Sequence, residues 1–117
     1  MPVFKVVWLC QFNKNMTPEE GRKHWLEVHA PIALRVPGLK GYTQNHCVQP
    51  VGAQTITDQR LAFDGYAELW WEDKASYEAA MSSREWAALN EDGALVFEIH
   101  TLVGAVLDEH VVRRLPS

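Results

Sequence analysis

The 117-residue sequence has few cysteines, no block of like charges and no long apolar run, and each shortage excludes a class of protein. Cys10 and Cys47 are too few for the disulfide framework of a small secreted domain, so we expect a packed core and a cytoplasmic location. The net charge of −4 is spread along the chain, which argues against nucleic acid or an anionic membrane as partner. The first apolar stretch, residues 3–12, contains Lys5 and is too short to span a membrane.

Signatures of metal and nucleotide sites are missing as well. No spacing of His, Cys and carboxylate residues matches a zinc motif, no glycine-rich loop could cradle a phosphate, and no Ser or Cys stands in a nucleophile-elbow context. We therefore expect no metal and no cofactor. Internal repeats and low-complexity linkers are absent too, so residues 1–117 are expected to form a single domain.

The chain is rich in residues that form a hydrophobic core. Of its residues 47% are hydrophobic and five are tryptophan, which is typical of a globular domain. Segments rich in β-branched and aromatic residues predict strands at 3–12, 39–48, 64–72 and 97–112. The segment 49–63 has no clean period and is predicted to be a long loop.

Two helical regions separate these strands. The sequence Thr17-Pro18-Glu19-Glu20 combines an N-cap, a proline in the first turn and a capping-box glutamate, and it predicts a helix from Pro18 to about Leu34. A second helical stretch is predicted over 74–93, with a break near Ser82-Ser83 and an end at Gly93.

The order β-α-β-β-α-β predicts an α+β, ferredoxin-like fold: a four-stranded antiparallel sheet with helices on one face. Because the strand at 3–12 is apolar on both faces, an uncovered sheet face would expose apolar side chains. We therefore expect a homodimer that covers this face, and a cavity between sheet and loops that takes a small-molecule substrate.

His29 is the first candidate catalytic residue. In the predicted helix it shares an apolar stripe with Trp25, Val28 and Ile32, and Pro31 is expected to kink the helix beside it. An imidazole facing a cavity can act as a general acid–base near neutral pH. The alternative is a half-buried structural histidine whose ring nitrogen bonds a carbonyl that Pro31 leaves free.

Further candidates lie on the predicted strands. Tyr42, Gln44 and His46 share one strand face, and such a polar face is more easily satisfied in a wet cavity than against apolar helices. His46 could instead reach solvent at the strand end. Glu68 is a mid-strand carboxylate that could orient a histidine, accept a proton or form an ion pair across a dimer.

Substrate contacts are expected from residues of the third and last strands. Tyr66 and Trp70 share a face with Glu68 and would suit an aromatic substrate by stacking, although strand aromatics are often plain core. Asp64, where the third strand begins, and His100, in the last strand, complete this set. Two histidines are expected to be solvated: His24, on the polar side of the helix, and His110.

An ordered set of motifs resembles the EthD-type domain of the dimeric α+β barrel superfamily over roughly residues 3–110. The set comprises Thr17-Pro18-Glu19-Glu20, the run from His24 to Pro31 with its His-x-Pro, Pro37-Gly38-Leu39, Gln44-Asn45-His46, and the run from Asp64 to Trp70. Ala30 stands where many relatives have glycine. The resemblance implies the same ferredoxin-like fold and a dimeric α+β barrel.

The resemblance also bears on activity, because relatives include methylmuconolactone isomerases and small polyketide dehydratases and cyclases. It implies a cofactor-independent lyase or isomerase acting on a small cyclic, aromatic or polyketide-derived substrate. His29 and His46 would then be the proton-transfer pair, with Tyr42 and Glu68 as orienting or acid partners. It leaves open a non-catalytic ligand-binding or accessory protein of a degradation pathway, and a cofactor-free monooxygenase or haem-handling protein.

Overall fold

The computed structural model describes residues 3–52, 56–57 and 60–116, with the backbone alone at 56, 57, 60 and 61. Its strands are β1 (Phe4–Cys10), β2 (Gly41–His46), β3 (Ile56–Thr57), β4 (Arg60–Leu61), β5 (Gly65–Trp71) and β6 (Val103–Leu107). Four of them form one antiparallel sheet in the order β2-β5-β1-β6. The predicted α+β, ferredoxin-like arrangement is confirmed.

The helical elements lie between these strands. They are α1 (Pro18–His24), a π-helical turn (Trp25–His29), α2 (Ala30–Ala33), α3 (Lys74–Met81), α4 (Arg84–Val96) and a short 3₁₀-helix (Ile99–Thr101). The capping box predicted at the start of α1 is present: Thr17 Oγ1 accepts from the Glu20 N–H at 3.1 Å, and the Glu20 side chain accepts from the Thr17 N–H at 2.8 Å.

The second helical stretch breaks at Ser82 and Ser83 as predicted, but it does not end at Gly93. Among the described glycines, left-handed backbone is found at Gly38 and Gly52, so Gly93 has no special dihedral and simply continues α4 to Val96. A glycine alone does not stop a helix whose next turn still packs, and Val96 is fully buried.

The bounds of the last strand and the prediction for residues 49–63 are also corrected. The last strand covers Val103–Leu107 rather than 97–112, because Phe97 pairs with Phe12 in an isolated bridge and the chain then turns through the 3₁₀-helix. The predicted loop 49–63 contains the two short strands β3 and β4, which pair with each other. Residues 53–55 and 58–59 of that loop lie outside the described residues.

The sheet has a helix-side face and an open face. Cross-strand partners in an antiparallel sheet point to the same side, so the register places Tyr42, Leu69 and Val6 together. Leu69 and Val6 are 3% exposed and belong to the hydrophobic core, which identifies this side as the one that the helices cover. Lys5 and Glu68 lie on the alternate positions and therefore on the open face.

The first helix packs on the core through a narrower stripe than the sequence predicts. Trp25 is 1% exposed and lies at the centre of the core, whereas Val28 is 45% exposed and does not anchor the helix. Gly21 provides the close approach, because a Cβ at this position would overlap the Phe12 ring. The helix and the segment after β1 are thus in direct contact.

Candidate functional site

A cavity of about 370 Å³ lies between the helix-side face of the sheet and the helices. Most of its lining is aromatic or aliphatic: Trp8, Cys10, Trp25, Ala33, Ala67, Leu69, Met81, Trp86, Leu89, Gly93, Phe97 and Leu102. Its polar groups come from His29, Tyr42, Tyr77 and Asn90. An apolar pocket with a few converging polar groups is the usual form of a small-molecule site.

His29 is buried at the wall of this cavity, with 7% of its surface exposed. Its Nδ1 lies 2.7 Å from Oδ2 of Asp92 on α4, and its ring makes an edge-to-face contact with Phe97 at a centroid distance of 5.4 Å. The predicted structural alternative, a bond from His29 to a backbone carbonyl freed by Pro31, is therefore wrong. The partner is a carboxylate, and this makes a His–Asp dyad.

Burial lowers the pKa of His29 below its ordinary value of 6.5 and outweighs the opposing attraction of Asp92, while the neighbouring His24 adds to the lowering. The ring is therefore neutral at neutral pH. Because Asp92 accepts from Nδ1–H, the unprotonated nitrogen of the neutral ring is Nε2. Within the residues that the structure describes, no hydrogen bond occupies Nε2, so this nitrogen can take a proton.

The π-helical turn explains how this arrangement forms. The N–H of Ala30 bonds the carbonyl of Trp25, five residues back, and Pro31 follows directly. Five residues of an α-helix would leave two side chains about 140° apart, whereas a π turn brings residues five apart onto one face. His24 and His29 thus both reach Asp92, and the Nε2 of His24 lies 2.8 Å from its Oδ1.

His24 and Asp92 are functional candidates that the sequence does not reveal. The sequence predicts His24 in solvent, but its side chain is only 21% exposed and bonds Asp92. That expectation assumes regular α-helical geometry, in which His24 falls off the stripe of His29. For Asp92 the available signal is its spacing in the helix: Leu89 lies three residues before it and Val96 four residues after it, so the carboxylate shares their buried face.

Tyr42, Gln44 and His46 form a hydrogen-bonded row on the helix-side face of β2. Gln44 Nε2 donates to the Tyr42 hydroxyl at 2.7 Å and to the Trp25 carbonyl at 2.9 Å, and Gln44 Oε1 lies 2.7 Å from Nε2 of His46. Tyr42 lines the cavity but His46 does not. His46 instead stacks on Trp25, with centroids 4.5 Å apart.

The two ionisable groups of this row keep their uncharged forms at neutral pH. Burial raises the pKa of Tyr42 above 10.0, against hydrogen bonds with Gln44 and Trp25 that lower it. Burial, followed by the positive charge of Arg22, lowers the pKa of His46 below 6.5. Tyr42 therefore keeps its O–H proton at the cavity wall, where it can be donated.

Glu68, Tyr66 and Trp70 are not brought to this cavity, because β5 directs them to the open face of the sheet. Glu68 instead forms an ion pair with Lys5 at 2.7 Å and accepts from Asn45 at 2.9 Å. The hydrogen bond from Lys5 is the main reason that the pKa of Glu68 is lowered below 4.5. Of the open alternatives for Glu68, the geometry matches an ion pair, but one within the chain.

Asp64 and His100 also lie away from the cavity lining. Asp64 is 7% exposed and its Oδ2 accepts from the backbone N–H of Phe12 at 2.7 Å, which ties the end of β1 to the start of β5. His100 is exposed in the 3₁₀-helix, so its predicted place in a strand is wrong. Tyr77 and Asn90 take their place as cavity residues.

Metal binding and membrane insertion find no support in the described part of the chain. Among the described residues, no group of three or more His, Cys, Asp or Glu side chains is placed to hold a metal ion. Over the same ranges, no helix combines the length and the apolar character needed to cross a bilayer.

The fold and the site together define a class: a ferredoxin-like α+β domain with a histidine-bearing cavity between sheet and helices. Within that class, residues 13–97 match the family model of the EthD domain. Since this match covers most of the chain, the protein belongs to the EthD family. No functionally curated protein matches the sequence.

Solved structures show the same fold at low sequence identity. An EthD family protein from Bacillus halodurans is 18% identical with a TM-score of 0.70, over 93% of this chain and 100% of the other. A dimeric ferredoxin-like protein of unknown function from Thermobifida fusca is 12% identical with a TM-score of 0.67, over 90% and 89%. A Dabb family protein with a ferredoxin-like fold from Mesorhizobium loti is 12% identical with a TM-score of 0.69, over 94% and 99%.

Proposed function

We propose that this protein is a cofactor-independent lyase or isomerase that moves a proton on a small cyclic, aromatic or polyketide-derived ketone. The observation that carries the proposal is the 2.7 Å bond between Nδ1 of His29 and Asp92 at the wall of an apolar cavity. It supplies a neutral imidazole in a fixed tautomer, which is what a general base near neutral pH requires.

The proposed reaction begins with removal of a proton from the carbon next to the substrate carbonyl. Nε2 of His29 accepts that proton, while Nδ1–H stays bonded to Asp92, whose negative charge stabilises the imidazolium. Tyr42 donates a hydrogen bond from its hydroxyl to the carbonyl oxygen, where negative charge develops, and keeps its proton throughout. The imidazolium then returns its proton to a leaving hydroxyl, which departs as water, or to another carbon, which completes an isomerisation.

The lining of the cavity favours a flat hydrophobic substrate. Trp8 and Trp86 offer aromatic surface, and the nearby apolar side chains exclude water from the reacting atoms. The cavity volume of about 370 Å³ is in the range of small-molecule sites.

Exchange of α-protons with solvent tests the proposal without the physiological substrate. Proton NMR in D₂O would follow the fused-ring ketones 2-tetralone and 2-indanone. The protein should accelerate loss of the α-proton signal, and His29→Gln should lower that rate by about 10²–10⁴-fold. The matched control is His110→Gln, which changes an exposed histidine that also lies beside an aspartate.

The same experiment separates the enzyme from a non-catalytic binder. Both ketones should quench the fluorescence of the cavity tryptophans in wild type and in His29→Gln alike, because the histidine acts on the reaction and not on apolar binding. If the ketones quench wild type but wild type exchanges their α-protons no faster than His29→Gln, the cavity binds ligand without proton transfer. The enzymatic proposal would then be abandoned.

We further propose that two copies of the chain pair through their open sheet faces. Support comes from the apolar side chains on this face, such as Val103, which is 59% exposed, and from the dimeric protein of Thermobifida fusca with the same fold.

The free thiols of Cys10 and Cys47 fit a reducing location such as the cytoplasm.

A further inference from the structure

Asp92 is held by a histidine on each of its two carboxylate oxygens. Oδ2 lies 2.7 Å from Nδ1 of His29, and Oδ1 lies 2.8 Å from Nε2 of His24. These are the side-chain hydrogen bonds of Asp92 in the part of the chain that the structure describes. Because Asp92 is only 7% exposed, each of its oxygens needs a donor.

We infer that His24 is a positioning residue for His29 and acts through Asp92. The inference rests on the proposed role of His29 as the base, and it assigns a task to a residue outside the cavity lining. His24 donates Nε2–H to Oδ1, which fixes the rotation of the carboxylate. Oδ2 then faces Nδ1 of His29, so the proton of that ring stays on Nδ1 and Nε2 remains unprotonated.

Removing the His24 donor would loosen this constraint. With Oδ1 unpaired in a buried place, the carboxylate would turn to recover a hydrogen bond, and the distance from Oδ2 to Nδ1 of His29 would no longer be held. The neutral ring of His29 would then divide between its two tautomers. Only the form with Nδ1–H can accept a substrate proton at Nε2, so the population of competent base would fall.

The local backbone supports a dedicated role for this contact. The π turn at Trp25–His29 brings residues 24 and 29 onto one helix face, and π turns are frequent at functional sites. Gln44 donates to the Trp25 carbonyl, which already accepts the wide-turn hydrogen bond from Ala30. The turn that aligns the two histidines is therefore supported from the sheet.

The tautomer of His29 is the direct readout, and it needs no substrate. Nitrogen-15 NMR of the histidine rings distinguishes protonated from unprotonated nitrogens. We expect wild type and His24→Gln to show His29 protonated at Nδ1, because a glutamine amide can replace the Nε2–H donor. His24→Leu should show a mixture of tautomers, an effect that simple loss of stability would not produce.

Activity gives the second readout. With 2-tetralone as the probe, His24→Leu should lower kcat/KM for proton exchange about tenfold with little change in KM, and His24→Gln should restore most of it. His110→Leu is the matched control. If His24→Leu does not fold, His24→Ala supplies the variant without a donor.

Failure of the role proposed for His24 and failure of the proposed function give different results. A single Nδ1–H tautomer in the folded variants without a donor would overturn the positioning role, and so would equal loss of activity in the Leu and Gln variants. If wild type exchanges no protons, the proposed function fails, whereas a tautomer mixture confined to the variants without a donor still supports the role of His24.

Discussion

At the scale of single residues, His29 differs from an ordinary core histidine in the way its two nitrogens are used. Nδ1 bonds Asp92, whereas Nε2 has no hydrogen-bond partner among the described residues, and the ring lines the cavity. Burial keeps the pKa of the ring below 6.5 in spite of the carboxylate, so the neutral base is the stable form at neutral pH. A charged histidine in the same place would already hold the proton that the base has to accept.

The pH dependence of stability follows from the same shift. The pKa values of His29 and His46 are lower in the folded protein than the ordinary 6.5, mainly because of burial, so the unfolded chain takes up protons first as the pH falls. The free energy of unfolding should be level above pH 6.5 and decrease below it, through the folded pKa values. Urea unfolding between about pH 5 and pH 8 measures this.

A comparison of variants tests whether His29 and His46 cause the decrease in the free energy of unfolding below pH 6.5. His29→Gln and His46→Gln should each flatten the decrease, while His110→Gln should leave it unchanged because that side chain is 77% exposed. Stability that increases as the pH falls from 7 to 5, by an amount that His29→Gln removes, would show that the attraction of Asp92 outweighs burial and raises the pKa of His29.

Sequence reasoning locates His29 but not its partners, and the reason is geometric. On a regular α-helix, the side chain of His24 lies about 140° from that of His29. The π turn changes this angle locally, but no residue type in the sequence predicts a π turn. Pro31 indicates only that the helix is irregular. Asp92 lies 63 residues from His29 in sequence, so their contact follows only from tertiary packing.

At the scale of elements, two glycines in helices differ in whether close packing requires them. Gly21 in α1 allows the Phe12 ring to approach so closely that a Cβ would overlap the ring. Gly93 in α4 has room, because its nearest contacts with an added Cβ would be His29 at 3.8 Å and Phe97 at 3.9 Å. The first glycine is required by packing, and the second is only a weak helix former.

Paired alanine substitutions test this difference. Gly21→Ala should lower the free energy of unfolding by about 1–3 kcal/mol through overpacking. Gly93→Ala should raise it by about 0.5–1 kcal/mol, because alanine favours the helix and its methyl group meets ordinary contact distances. Chemical denaturation of both variants measures the two values, and a stabilising Gly21→Ala would contradict the described packing of α1.

Element identity is predictable from sequence where the local signals are strong. The capping box at Thr17 and the serines at 82 and 83 define helix boundaries that the structure shows. The alternating apolar residues of 97–112 predict one strand, yet only Val103–Leu107 finds a partner strand in β1. Strand length is set by the partner, which the local pattern does not contain.

At the scale of the whole molecule, the open sheet face combines apolar side chains with ion pairs of a buried lysine. Lys5 is only 4% exposed, lies 2.7 Å from both Glu68 and Glu109, and sits 4.7 Å from the ring centre of Trp70. Burial by itself lowers the pKa of Lys5, but the hydrogen bonds with Glu109 and Glu68 outweigh it and raise that pKa above 10.5. Lys5 therefore stays charged and paired with Glu68 and with Glu109 of the C-terminal segment.

The proposed dimer can be tested with two valines of one strand. Val103 lies on the open face and Val106 on the opposite side, yet they are 59% and 60% exposed. Sedimentation velocity should show a dimer for wild type and Val106→Asp, and a monomer for Val103→Asp, since a carboxylate at the interface would be desolvated without a partner. A wild-type monomer at micromolar concentration would contradict the dimer.

The rate of α-proton exchange in Asp92→Asn as a function of pH tests the central claim most directly. A carboxylate accepts from both His24 and His29 and its charge stabilises the imidazolium, whereas an amide is neutral and has to donate to one of the two rings. Wild type should lose activity toward acid pH with an apparent pKa below 6.5, and Asp92→Asn should be at least about tenfold slower on the neutral plateau. An Asp92→Asn protein that is folded and exchanges 2-tetralone at the wild-type rate would contradict the claim that the His29–Asp92 dyad is the base.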